Sequence, residues 1–160
     1  MRHHNNQERM VKRNFELTCK IREDLMEAYR EVYVHCHRQG EAYEKTVTHA
    51  APRFYITPKQ AYRVMRRMVR GDFSKVEKMC PLKQKMYLEL FGKLQEMTQK
   101  KEYMGKSLWF ICQFLVAQPA SEFFISANTF KDIFPSMKKH GKEYRFKDTR
   151  GKRKTDGGEN

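Results

Sequence analysis

Ala51-Pro52-Arg53-Phe54-Tyr55-Ile56-Thr57-Pro58-Lys59-Gln60 is the stretch from which the rest of this chain can be read. Thr57 is placed to accept a hydrogen bond from a free backbone N–H at a helix start. Pro58 at the first helical position forfeits no intrahelical bond, and Gln60 three residues on completes a capping box. Ile56, just before the cap, is positioned to pack on Ala61. The spacing predicts a helix from Pro58 to about Val69, with Gly71 as its stop.

A second stretch, Pro119-Ala120-Ser121-Glu122-Phe123-Phe124-Ile125-Ser126, repeats the first. Aligning Phe54 with Phe123 places Tyr55 on Phe124, Ile56 on Ile125 and Thr57 on Ser126. Further along, Ala61 falls on Phe130 and Val64 on Ile133; backward, Val47 falls on Val116 and Leu25 on Leu94. Ser126 is the candidate cap of the second copy, and Ile125 packs on Phe130 by the same logic. The alternative is a chance likeness between two helix entries.

Outward from these anchors the chain reads as all-α. Leu17, Ile21, Leu25, Ala28, Tyr29 and Val32 recur at helical spacing and predict a long helix from Phe15 to His37. Gly40 interrupts, and a short helix follows from Glu41 to about His49. After Gly71 a loop with Pro81 leads to a helix from Leu82 to about Thr98. The helix from Lys106 to about Ala117 is the most apolar and is expected at the centre. The last, from Ala127 to about His140, should bend or end early at Pro135. The order (long helix, short helix, aromatic turn, capped helix) occurs twice. The expectation is therefore two similar helical subdomains, 15–78 and 79–140, between a disordered N-terminus, 1–14, and a disordered basic tail, 141–160.

The chain has 160 residues and a net charge of +14. Six Lys/Arg and no acid lie between Arg53 and Arg70, and nine Lys/Arg against two acids lie between Lys138 and Lys154. Charge concentrated in two segments points to a polyanionic partner. On the helix from Pro58, Arg63, Arg66, Arg67 and Arg70 share one face, and Ala61, Val64, Met65 and Met68 the other. Lys59 and Tyr62 flank the arginines. A solvated helix usually intersperses Glu, and this one has none. The competing reading pairs these arginines with Glu23, Asp24 or Glu27 of the first helix.

A short helix, a turn and a capped basic helix together resemble the helix-turn-helix class of DNA-binding proteins, although the link of roughly seven residues exceeds the usual three to four. The resemblance implies that Lys59, Gln60 and Arg63 approach bases while Arg66, Arg67 and Arg70 hold phosphate; Arg53, in the turn, is counted with them as a candidate nucleic-acid-binding residue. The Phe54-Tyr55-Ile56 turn and its second copy also resemble small proteins of bacterial mobile elements, a likeness that brings no activity with it. DNA is favoured over RNA, for which Tyr55 and Tyr62 are the candidate base stackers. The second reading is a protein-interaction adaptor for an acidic partner. In the second copy Asn128, Lys131 and Asp132 replace the arginine face, which points to packing or self-association. The tail from Lys138 reads as a phosphate-binding arm or as an ordinary solvated tail.

Other chemistry finds no footing. His35-Cys36-His37 lacks a second Cys/His pair at zinc spacing. No Gly-rich phosphate loop, GxSxG or HExxH occurs, so no enzyme, cofactor or metal is expected. No apolar run is long enough to span a membrane, and the N-terminus lacks a hydrophobic signal core. The four cysteines form no CxxC pair. The expected setting is cytoplasmic, with reduced thiols.

Overall fold

The computed structural model describes the backbone of residues 2–139 and the side chains of residues 15–135. The basic tail, 141–160, and the side chains of Lys138 and Lys139 lie outside the described residues. The elements are α1 (Arg2–Val32), a 3-10 turn (Tyr33–His35), α2 (Gln39–Val47), α3 (Pro58–Val69), the short α4 (Ser74–Glu77), α5 (Pro81–Thr98), a second 3-10 turn (Lys101–Tyr103), α6 (Leu108–Leu115) and α7 (Ala127–Lys139). The described residues are all-α and contain no strand. Their one β-type contact is an isolated bridge between Ala51 and Ala120.

Several boundaries differ from expectation for local reasons. α1 starts at Arg2, well before Phe15. The segment reads as polar, yet Gln7, Glu8, Arg9, Met10, Lys12 and Arg13 are all good helix formers. α2 starts at Gln39 and takes in Gly40, because the Glu41 carboxylate accepts the His37 N–H at 3.3 Å and closes the first turn. α7 runs through Pro135 to Lys139. Pro135 and Lys131, whose carbonyl loses its bond to the ring nitrogen, are both exposed, so water can satisfy that oxygen.

The chain divides into two compact units, and they are not the sequential halves 15–78 and 79–140. Of the described residues, 2–46 and 127–139 form one, and 47–126 the other. The first joins α1 and α2 of the first copy to α7 of the second. The second joins α5 and α6 of the second copy to α3 of the first. Each unit thus contains the long and short helices of one copy and the capped helix of the other. The units therefore do not follow the order in which the two sequence copies run.

In the first unit Leu25 and Ala28 of α1 and Ala42, Tyr43 and Thr46 of α2 are buried with Phe130 and Phe134 of α7. Tyr29 meets Phe134 at 4.6 Å between ring centroids, and Tyr43 meets Phe130 at 5.4 Å and Phe134 at 5.2 Å. Such pairs contribute about 0.5–1.5 kcal/mol each beyond their area. The buried Thr46 hydroxyl donates to the Ala42 carbonyl at 2.6 Å.

The second unit fills the same positions with aliphatic side chains. Leu94 stands for Leu25, Ile111 and Cys112 for Ala42 and Tyr43, Leu115 for Thr46, and Ala61 and Met65 for Phe130 and Phe134; all are buried. The small Ala61 and Cys112 let α3 lie close against α6.

The two aromatic turns both belong to the second unit, and they bond to each other reciprocally. Ala51 and Ala120 exchange N–H to carbonyl bonds of 3.0 and 2.9 Å. The Phe54 N–H donates to the Val116 carbonyl at 2.9 Å, and the aligned Phe123 N–H donates to the Val47 carbonyl at 3.1 Å. Phe54 stacks on Phe124 at 6.0 Å and Tyr55 on Phe123 at 5.8 Å. Every contact in this set maps onto another, or onto itself, when the copies are interchanged. The turns pair with one another rather than folding back, so each hands its next helix to the other copy's helix pair.

The second turn carries strain. Phe124 sits at φ 57°, a left-handed conformation that costs a non-glycine residue about 1–2 kcal/mol. Two side chains of α5 brace it. Glu89 accepts the Ser121 N–H at 2.9 Å, and Lys85 pairs at 2.7 Å with the buried Glu122 carboxylate. That pairing raises the Lys85 ammonium above the ordinary lysine range.

Candidate nucleic-acid interface

The interface candidate is α3, and both of its ends are built by local chemistry. Thr57 Oγ1 accepts the Gln60 N–H at 3.1 Å while Gln60 Oε1 accepts the Thr57 N–H at 2.9 Å, a complete capping box with Pro58 at the first position. At the far end Gly71, at φ 85°, donates to the Met68 carbonyl at 2.9 Å, and Asp72 donates to the Arg67 carbonyl at 3.0 Å. This is a Schellman closure, and only a residue tolerant of positive φ ends the helix this way.

Between these ends the two faces separate as the spacing predicts. Ala61, Val64, Met65 and Met68 are buried, and Arg63, Arg66, Arg67 and Arg70 are exposed, as is Lys59. Among the described residues no carboxylate forms an ion pair with any of the four arginines. Asp24, a suggested partner, pairs instead with Lys20 on its own helix at 3.3 Å. The nearest acidic influence is Asp72. Hydrogen bonds from the Ser74 hydroxyl and N–H hold its carboxyl below the usual range, and Arg67 adds a smaller pull in the same direction. α3 therefore presents four cations whose mutual repulsion no ion pair among the described residues relieves.

Two expected site residues have other duties. Gln60 is the reciprocal member of the capping box, so its carbonyl oxygen is already committed. Arg53 is half-buried in the turn: its Nε donates to the Phe54 carbonyl at 3.1 Å, and its guanidinium lies 6.0 Å from the centre of the Tyr55 ring. The stack on Phe123 occupies one face of Tyr55, which removes it as a ready base stacker. Tyr62 keeps its place beside the arginines and meets Trp109 of α6 edge to face at 5.7 Å.

α6 is not the wholly buried helix its composition suggests. Ser107 caps it by accepting the Phe110 N–H at 3.1 Å. Ile111, Cys112 and Leu115 point inward, but Trp109, Phe110 and Phe114 are 44%, 37% and 44% exposed. An apolar run hides this because both faces of the helix are apolar, so periodicity vanishes. Alignment of the copies reveals it: Phe110 and Phe114 stand opposite Glu41 and Lys45, which form an exposed ion pair at 3.0 Å on α2.

The turn predicted to support α3 through the short helix before it does so differently. α2 and α3 fall in different units, and α3 rests on α5 and α6. Among the described residues no group of three or more His, Cys, Asp or Glu side chains is arranged to hold a metal ion, and no helix is long and apolar enough to cross a membrane. No family model, curated protein or solved structure matches the chain.

Proposed function

We propose that the protein binds nucleic acid through the exposed face of α3. The observation that carries this reading is the set of four exposed arginines, Arg63, Arg66, Arg67 and Arg70, on one face of a rigidly capped helix with no ion-pair partner among the described residues. Repulsion among them weakens the free protein slightly and is relieved when phosphates neutralise the face. Guanidinium groups suit this task because their planar fork meets phosphate oxygens or a guanine edge with two parallel hydrogen bonds.

The second copy supplies a comparison within one molecule. At the positions aligned with Arg63, Arg66, Arg67 and Arg70, α7 has Asp132, Pro135, Ser136 and Lys139. Asp132 and Pro135 are exposed without being basic, so packing at those two positions does not require an arginine. By the helix-turn-helix resemblance, Lys59 and Arg63, near the start of the helix, would contact bases, and Arg66, Arg67 and Arg70 phosphate. The helix-turn-helix resemblance taken alone implies duplex DNA, but α2 and α3 fall in different units, so the reading commits to nucleic acid and not to a duplex.

The test is a fluorescence-anisotropy titration of labelled duplex DNA with the full chain at two salt concentrations, repeated with all four arginines changed to Ala. We expect affinity to fall steeply with salt and the variant to lose most binding while keeping its helical circular dichroism. Salt-independent binding, or full binding by the folded variant to duplex and single strand alike, would sink the proposal.

A further inference from the structure

The aromatic face of α6 is only partly covered, by Tyr62 against Trp109 and Tyr103 against Phe114, and it belongs to the same compact unit as the arginine face of α3. Trp109, Phe110 and Phe114 occupy positions that in the first copy are Gly40, Glu41 and Lys45. The first copy closes this surface with an ion pair. The second has Phe110 and Phe114 at 5.1 Å instead, with the Lys106 ammonium 5.3 Å from the Phe110 ring. Tyr62, one turn before Arg66 on α3, joins the two faces through its contact with Trp109. Neither contributing segment contains an acid: there is no Asp or Glu from Lys45 to Gly71, or from Tyr103 to Ser121.

We infer that Trp109, Phe110 and Phe114, together with Tyr62 and the α3 arginines, form a stacking platform for the bases of single-stranded nucleic acid. The inference rests on the nucleic-acid reading of α3 and narrows its ligand. A duplex presents phosphates outward and keeps its bases stacked within, so it can satisfy arginines but has no use for exposed flat rings. An unpaired strand presents both groups at once. Proteins that hold such strands combine cations along the backbone with aromatic side chains under successive bases. Arginine also fits better than lysine here, because its plane stacks on bases as well as gripping phosphate. Single-stranded DNA and RNA share this chemistry, and the test separates them.

Trp109 is the sole tryptophan of the chain, so its fluorescence reports directly on stacking. The full chain is titrated with a mixed-sequence DNA single strand, the same sequence as RNA, and the corresponding DNA duplex. The expected result is quenching of Trp109 by at least one single strand, with the duplex bound at least tenfold more weakly. Replacing Trp109 or Phe110 by Ala should weaken single-strand binding, followed by anisotropy, about tenfold each, the scale of one lost base stack. Duplex binding should be unchanged, because the arginines remain. These rings are exposed, and thermal melts of the variants confirm that the core is intact.

Duplex binding as tight as single-strand binding, with no quenching, would overturn the platform and leave the α3 reading standing. Binding of no nucleic acid at all would remove both. Competition by a Glu-rich peptide that quenches Trp109 more strongly than either strand would overturn the platform in favour of an acidic protein partner.

Discussion

Ala51 and Ala120, the same position in the two copies, donate their backbone N–H groups to each other's carbonyls at 3.0 and 2.9 Å. Both are 3% exposed. A larger side chain at either would hold the two turns apart. The pairing joins the two aromatic turns within one compact unit, 47–126. That unit also holds the arginines of the first copy and the aromatics of the second.

Breaking the pair should be costly. Changing Ala120 to Pro removes one donor and leaves the Ala51 carbonyl buried without its partner. A buried polar group so orphaned costs about 1–3 kcal/mol. The midpoint of urea unfolding should fall accordingly. An unchanged midpoint would show that the turn bridge contributes nothing net.

Thr57 and Gln60 should behave as stability residues. Thr57→Ala removes the acceptor for the Gln60 N–H and should cost about 0.5–2 kcal/mol. Gln60→Ala should cost less, since the N-cap bond from the Gln60 N–H to Thr57 Oγ1 remains. If Gln60→Ala leaves the melting temperature untouched and changes base preference instead, Gln60 reads bases and the capping assignment of its side chain is wrong.

Single arginine variants separate phosphate contacts from base contacts. Arg66→Ala, Arg67→Ala or Arg70→Ala should each reduce the slope of log affinity against log salt by about one and weaken all sequences alike. Arg63→Ala should also alter sequence preference. None should lower the melting temperature by more than a degree or two, because each is exposed and each removal relieves repulsion within the face.

Cysteine reactivity follows burial. Cys80 is exposed, and Cys112 is buried with its thiol pushed up to about 11 by desolvation. At pH 8 iodoacetamide should modify Cys80 readily and Cys112 only after unfolding, because the thiolate is the nucleophile. The same shift has a stability consequence. Between about pH 8.5, where an unfolded cysteine loses its proton, and about pH 11, where Cys112 does so in the fold, the native state binds more protons. Stability therefore falls across that window as pH rises. Cys112→Ala should flatten this part of the profile. Burial raises Tyr87 too, which adds a slope of the same sign at higher pH.

The local signals were legible because their causes are local. Thr57, Pro58, Gln60 and Gly71 specify the limits of α3 within a few residues of chain, and the 3.6-residue period sorts Arg63, Arg66, Arg67 and Arg70 from Ala61, Val64, Met65 and Met68. The likeness of the two aromatic turns was also readable, as was the all-α class. Three features depended on contacts between segments far apart in the chain. Arg53 and Tyr55 were absorbed into the turn pairing. The outward face of α6 was masked by apolar residues on both sides. The packing of α3 on α5 and α6, and of α7 on α1 and α2, left no mark in either segment, since an apolar helix face read alone does not name its partner. Helix ends and helix faces were therefore written in the sequence of this protein. Which helices pack together was decided only in three dimensions, by contacts between segments far apart in the chain, the reciprocal bonds of Ala51 and Ala120 among them.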